Sequence, residues 1–205
     1  MRLLKLCVYL SLNLSLSLII GAVAAVQAAS LVDLSAREDS VAMYLATETG
    51  PGKYIGNIKV KQTKYGIVFD PSLSSLKAGL HGFHVHEDPS CQPNKKDAEH
   101  QEVPAGKAGD HFDATGVDTH GGPWGVGHVG DLPMLYVDQK GKAEYPVLAP
   151  RLKMEFLKGR SLLIHANPDN YTDSPPKGGS GPRVACGIFF EQELEQPVKR
   201  ESEIR

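Results

Sequence analysis

Tyr54-Ile55-Gly56-Asn57-Ile58-Lys59-Val60-Lys61-Gln62-Thr63-Lys64-Tyr65-Gly66-Ile67-Val68-Phe69-Asp70 is the stretch that decides the fold class. It holds two short strand candidates, Tyr54–Gln62 and Tyr65–Asp70, with no helical period. Six more segments have the same character: Val41–Thr47, Leu80–Glu87, Met134–Val137, Glu144–Leu148, Ser161–His165 and Val184–Phe190. Turn signals punctuate them at Gly50-Pro51-Gly52, Asp70-Pro71-Ser72 and Asp138-Gln139-Lys140-Gly141. Leu152–Leu157 is long enough for one helical turn. Many short strands without long helices predict an all-β, eight-stranded antiparallel Greek-key β-sandwich or barrel.

Two stretches are too long for hairpins, Asp88–Pro133 and Ala166–Arg183. Long loops in a compact domain are functional or disordered. These two carry His100, His111, His120, His128 and Asp131, then Asp169 and Arg183.

The composition excludes several classes. The chain has 205 residues, 21 of them Gly and 14 Pro, and a formal net charge of −2. One globular domain fits that length. The charge offers no basic excess for nucleic acid. Residues 1–28 read as a signal peptide. Arg2 and Lys5 start it, an apolar run from Leu6 to Ala25 follows, and Val26-Gln27-Ala28 supplies small residues at the cleavage positions. A cut after Ala29 fits nearly as well, and an uncleaved anchor is the rival reading. Cleavage removes Arg2 and Lys5 and no acid, so −2 becomes −4. No stable membrane association is then expected. Cys7 is lost as well. Cys91 and Cys186 remain, and two cysteines in an exported chain read as one disulfide. It would close a loop of about 95 residues, contributing about 4–5 kcal/mol in the chain-entropy model. The globular domain then spans 29–190. Residues 191–205, charged and almost without apolar side chains, read as a disordered tail.

The chemistry lies in the histidines. His84-Val85-His86 falls in a strand candidate, where alternate side chains share a face. His84 and His86 therefore converge, while Val85 points into the sandwich. His111, His120, His128 and Asp131 are three imidazoles and a carboxylate in a Gly/Pro-rich loop, a donor set that suits tetrahedral zinc. His165 ends the strand candidate Ser161–His165 and is either a satisfied polar residue or a ligand. If His111 is shared, the histidines divide into a four-imidazole set suited to copper(II), namely His84, His86, His111 and His165, and a zinc set of His111, His120, His128 and Asp131. A loop of merely solvated histidines is the plain alternative.

Four blocks match a known family: Gly82-Phe83-His84-Val85-His86, Gly109-Asp110-His111-Phe112, Gly127-His128-Val129-Gly130-Asp131-Leu132-Pro133 and Gly181-Pro182-Arg183-Val184-Ala185-Cys186-Gly187. Over Ala42 to Phe190 the chain resembles copper/zinc superoxide dismutase. Ser90-Cys91-Gln92-Pro93 and Ala149-Pro150-Arg151-Leu152-Lys153 resemble its exported, periplasmic bacterial type. The resemblance implies that set division, with His111 bridging. It implies that Asp169 links His84 to His120, accepting a hydrogen bond from each ring and so orienting both. It implies that Arg183 attracts superoxide, and that Cys91 helps fix Arg183 through its disulfide. The implied reaction is a two-step cycle in which superoxide alternately reduces and reoxidises copper, with His111 carrying a proton. A copper-storing module would tend to lack the bridging His111, Asp169 or Arg183; a plain adhesive sandwich would not need these histidines.

The remaining signals are weaker. Gly125-Val126-Gly127-His128-Val129-Gly130 fits a dinucleotide-binding pattern but has no strand before it and no helix after it. His81 resembles a family histidine bonded to main chain, and His100 is expected to be solvated. Asn170-Tyr171-Thr172 is a sequon that matters only in a eukaryotic secretory host. Trp124, the only tryptophan, either folds back over the sandwich or faces a partner. The resemblance to dimeric bacterial relatives implies a homodimer with Trp124 near its two-fold axis.

Overall fold

The computed structural model describes residues 38–95 and 102–190. The expected signal segment, His100 and the expected tail lie outside them. Each strand candidate appears. The strands are β1 Glu38–Thr47, β2 Gly50–Thr63, β3 Gly66–Leu73, β4 Gly79–His81, β5 Phe83–His86, β6 Asn94–Lys95, β7 Glu102–Val103, β8 Leu135–Val137, β9 Val147–Ala149, β10 Ser161–His165 and β11 Arg183–Ile188. All pair antiparallel. Seven form a curled sheet in the order β5-β10-β11-β1-β2-β3-β9, while β4 pairs with β8 and β6 with β7. β1 to β3 form a meander, and β10 and β11 return to lie between β5 and β1, which is Greek-key wiring. No helix among the described residues is long and apolar enough to cross a membrane.

The differences from expectation have local causes. Leu80–Glu87 divides at Gly82 into β4 and β5, which serve different sheets. Gly82 exchanges main-chain hydrogen bonds with Asn167 and His165, and a Cβ there would lie 2.4 Å from Ser180 Oγ. Counted as one strand bent at Gly82, β4 and β5 restore the expected eight, with β6 and β7 a small addition inside the first long loop. Gly50-Pro51-Gly52 lies within β2 and is not a turn. The turn falls at Glu48-Thr49, where Thr47 Oγ1 donates to Gly50 O and accepts from Thr49 N. β3 likewise runs through Asp70-Pro71-Ser72. Leu73 sends its N–H outward to Ala143, and alternation turns the Pro71 nitrogen to the same edge. Residues 144–146 form no strand opposite it, so no ladder bond is lost there. Asp138-Gln139-Lys140-Gly141 is a turn, with Asp138 Oδ1 accepting from the N–H of Lys140 and Lys142. The expected helical turn at 152–157 is a single 3-10 turn, Met154–Phe156.

The core lies inside the curl, where Phe69 meets Phe83 and Phe189. A second buried cluster covers the outer face of the sheet: Leu163, Cys91, Cys186, Ala105 and Ala108. β10 is therefore covered on both faces, which explains its unbroken Leu162-Leu163-Ile164 run. Cys91 and Cys186 form a disulfide with a Cα–Cα distance of 5.7 Å and a sequence separation of 95.

Reducing that bond frees a long loop in the unfolded chain. The expected loss of unfolding free energy is about 4 kcal/mol in the chain-entropy model, checked by urea denaturation of oxidised and reduced protein. Equal midpoints would rule the contribution out.

Candidate metal centre

The site sits on the outer face of the sheet under the two long loops. In β5 the alternation is strict: Phe83 and Val85 join the core, and His84 and His86 face outward. β5 has a free edge, which the first loop covers with main-chain hydrogen bonds. Val85 N donates to Gly130 O, and Val85 O accepts from Phe112 N at 2.8 Å. These bonds bring His111 opposite His86 and Asp131 opposite His84. Gly130 has to be glycine, because a Cβ would stand 2.3 Å from Val85 O.

A bulge between β10 and β11 places the other wall. Ile164 pairs with Ala185, but His165 pairs with Arg183, leaving Val184 unmatched. Val184 and Ala185 both pack on the core. Arg183 thereby emerges on the face of His165, although simple alternation from Ala185 would have turned it inward.

Of the nine predicted metal-site side chains eight are buried, and Arg183 is partly exposed. Two sets of donors converge, His84, His86, His111 and His165 in one, and His111, His120, His128 and Asp131 in the other. His111 belongs to both. In the second set, Asp131 Oδ1 lies 2.9 Å from His111 Nδ1, 3.1 Å from His120 Nδ1 and 3.4 Å from His128 Nδ1. Asp169 stands behind both sets, 2.6 Å from His84 Nε2 and 2.9 Å from His120 Nε2. His86 and His165 donate from Nδ1 to the carbonyls of Gly109 and Gly181. Such bonds fix which nitrogen of each ring faces inward.

Those inward nitrogens are the test of fit. Nδ1 of His84, His120 and His128 and Nε2 of His86 and His165 are buried without a hydrogen-bond partner. Each such group costs about 1–3 kcal/mol in a dry interior, and converging lone pairs are what a divalent cation satisfies. Burial, reinforced by neighbouring imidazoles, pushes His86 and His165 well below the ordinary histidine range and His111 down to about 3. Burial also lowers His84, against the pull of Asp169. His120 goes the other way: burial opposes its charge, but the Asp131 and Asp169 carboxylates outweigh it and raise it to about 9. Burial likewise opposes ionisation of Asp131 and Asp169, but their histidine partners hold both well below the usual carboxylate range.

Other side chains were not legible as functional from the sequence. Arg151 donates to the carbonyls of Gly122, Pro123, Gly127 and His128, clamping the loop that carries His128. Asp173 accepts from His120 N. Asp173 could have been sought as a charged residue within the second long loop, whereas the acceptors of Arg151 are main-chain carbonyls. His81 is structural, as expected, with its ring nitrogens facing the carbonyls of His165 and Lys77. Residues 125–130 form turns and no nucleotide-binding helix.

A barrel of this wiring with two histidine sets sharing one ring defines a two-metal protein. Comparison with known proteins supplies its family. The family model of copper/zinc superoxide dismutase (SODC) matches residues 54–189. A superoxide dismutase [Cu-Zn] of Photobacterium leiognathi is 47% identical over 145 residues, 70% of this chain and 83% of that protein. The solved Cu/Zn superoxide dismutase of Brucella abortus is 45% identical, with a TM-score of 0.71, covering 74% of this chain and 99% of that one. The monomeric copper, zinc superoxide dismutase of Salmonella enterica is 44% identical, with a TM-score of 0.67 and coverage of 75% and 99%. The chain belongs to the copper/zinc superoxide dismutase family. It is an oxidoreductase that converts superoxide to dioxygen and hydrogen peroxide with copper and zinc as its metals.

Because the sets share only His111, one can be damaged alone. His86→Ala removes a donor from the four-histidine set and none from the other. Metal analysis after dialysis is expected to find one tightly held ion per chain where the wild type holds two. Loss of both ions would show that the sets are not separable.

Proposed function

We propose that His84, His86, His111 and His165 hold the copper, that His111, His120, His128 and Asp131 hold the zinc, and that the enzyme works outside the cytoplasm. One observation carries the assignment. His111 turns Nδ1 to Asp131, while its ring lies 4.0 Å from that of His84 and 4.9 Å from that of His86. Its other nitrogen is left for the four-imidazole set. Four imidazoles suit copper, and three with a carboxylate suit zinc. The chemistry supplied by bound copper is one-electron transfer, from one superoxide and back to a second, whereas zinc has no redox chemistry of its own.

The chain's own residues do the rest. A cavity of 260 Å³ opens onto His86, His111, His165 and Arg183. The Arg183 guanidinium is held by the carbonyls of Ala105 and Gly109, at 2.7 and 2.6 Å. It supplies a fixed positive charge that draws the superoxide anion in and orients it. Peroxide formation consumes protons, and His111 Nε2 is the buried group placed to carry one. Asp169 keeps His84 and His120 in register, so neither set of donors drifts as the charge changes.

Two finer readings accompany this one. The first concerns the compartment. A disulfide persists in an oxidising setting, which supports export to the periplasm after cleavage of residues 1–28. The second concerns assembly. Trp124 is 69% exposed and Val126 beside it 78%, so Trp124 does not cap its own sandwich. Aromatic side chains concentrate at protein interfaces. We infer a homodimer with Trp124 near the two-fold axis, unlike the monomeric Salmonella relative.

Three measurements check these readings. Arg183→Glu should lower kcat/KM by about 100-fold and Arg183→Lys by about ten-fold or less, with metal content unchanged. The wild-type rate should also fall as salt rises; a salt-independent rate would count against steering. Osmotic-shock fractionation with mass spectrometry should recover a periplasmic chain beginning at Ala29 and lacking free thiols; an uncleaved cytoplasmic chain with three free thiols would contradict export. Sedimentation should find a dimer that Trp124→Glu dissociates. A wild-type monomer at micromolar concentration sinks the dimer, and a dimer indifferent to the charge moves the interface elsewhere.

A further inference from the structure

Two cavities reach the site, and they carry opposite charge. The one on the four-histidine side is lined by Arg183 and Lys177 with no carboxylate. The other, of 440 Å³, is lined by Glu87, Asp110, Asp113, Asp118 and Asp173, with Lys177 as its one cation. His128 forms part of its wall. His128 is buried, with 9% of the residue exposed, and its Nδ1 has no hydrogen-bond partner. The two cavities share only His111, Pro176 and Lys177.

The wall between them is built. Lys177 adopts φ +56 and forms an ion pair with Asp110, the residue before His111. The next residue, Gly178, is packed so closely that a Cβ would stand 2.0 Å from Asp169 Oδ1 and 2.7 Å from His120 Nε2. The 176–178 turn is thus seated on the Asp169–His120 link, and its lysine reaches across to the other loop. The carboxylates are fixed as well. Glu87 accepts from Asp110 N, Asp113 from the N–H groups of Thr115, Gly116 and Asp118, and Asp173 from His120 N. Asp118 is the exception, since its carboxylate makes no hydrogen bond among the described residues.

We propose that the two metal positions have separate mouths: superoxide enters past Arg183, and the divalent cation of the His111, His120, His128 and Asp131 set enters and leaves through the acidic cavity, with Lys177 as the partition. The proposal rests on the assignment of zinc to that set. The field of five carboxylates concentrates a dication at the mouth and repels an anion, so each species is sorted to its own entrance before it meets the shared histidine.

The test is stopped-flow uptake of Zn(II) by the full-length, metal-stripped protein with its disulfide intact. Asp118→Asn removes one mouth charge without breaking a bond, and Asn tolerates the φ of +49 at that position. It is expected to slow zinc uptake about three-fold at low salt, with the difference vanishing at high salt. Superoxide consumption by the metal-loaded variant should stay within about 1.5-fold of wild type. Lys177→Gln should have the opposite effect on zinc, speeding its uptake, and should also slow superoxide consumption, because Lys177 lines both cavities. Uptake indifferent to Asp118→Asn at low salt, or slowed by Lys177→Gln, overturns the two-mouth proposal while leaving the dismutase intact. A wild-type chain that takes up no zinc overturns both this proposal and the metal assignment beneath it.

Discussion

The main chain of Val85 holds the site together. Its N–H reaches Gly130 and its carbonyl receives Phe112, while Gly130 donates back to Phe112. β5 is the terminal strand of the seven-stranded sheet, and an uncovered edge of that kind invites pairing with another chain. The first long loop covers the edge, and the residues that do so flank His111 and Asp131. Protection of the sheet edge and delivery of two donors are therefore one set of hydrogen bonds. Gly130 is the necessary detail, since any side chain there would push the loop off the strand.

Around that anchor the electrostatics are self-consistent. Burial keeps His84, His86, His111 and His165 less basic than a free imidazole, and a neutral imidazole is the form that binds a metal. Two carboxylates, Asp131 and Asp169, lie within this apolar-backed cluster and are held ionised by it. His120 sits between them, and their charge raises it above the ordinary histidine range. The two carboxylates thus place negative charge where the second set would hold its cation. The polar burial is tolerable because the outward nitrogens of His84, His86, His120 and His165 have fixed carbonyl or carboxylate partners, and the inward donor atoms of each set lie within 4.8 Å of one another.

Strand content and donor identity were legible because both depend on short-range pattern. Alternation gave β5 its outward histidines, and Ser161–His165 was legible as a strand, although its cover on both faces was not. What pattern could not supply was geometry set by backbone irregularity. The turn at Glu48-Thr49 uses the Thr47 hydroxyl and falls just ahead of the Gly-Pro-Gly that signalled it, with only Gly50 at its edge. The break at Gly82 depends on how closely Ser180 packs. Arg151 was visible only as a marker of bacterial type, because its four acceptors are main-chain carbonyls and leave no trace in residue identity. Lys177 and Asp110 are 67 residues apart, and nothing local announces that they meet.

The position of Arg183 joins these strands of argument. A bulge at Val184 turns it onto the histidine face, but a bulge only sets direction. Its guanidinium is held in place by the carbonyls of Ala105 and Gly109, which belong to the first loop. That loop is fastened to β11 by the Cys91–Cys186 disulfide, whose second cysteine lies three residues after Arg183. Ala105 and both half-cystines share one buried cluster with Leu163. The crosslink that stabilises the domain therefore also fixes the acceptors on which the cation hangs. In a reducing compartment the loop could move relative to β11, and the fixed charge over the four-histidine set would become a mobile one. The oxidising environment that suits the disulfide is in this way also the environment in which the Arg183 guanidinium is held in place beside the four-histidine set.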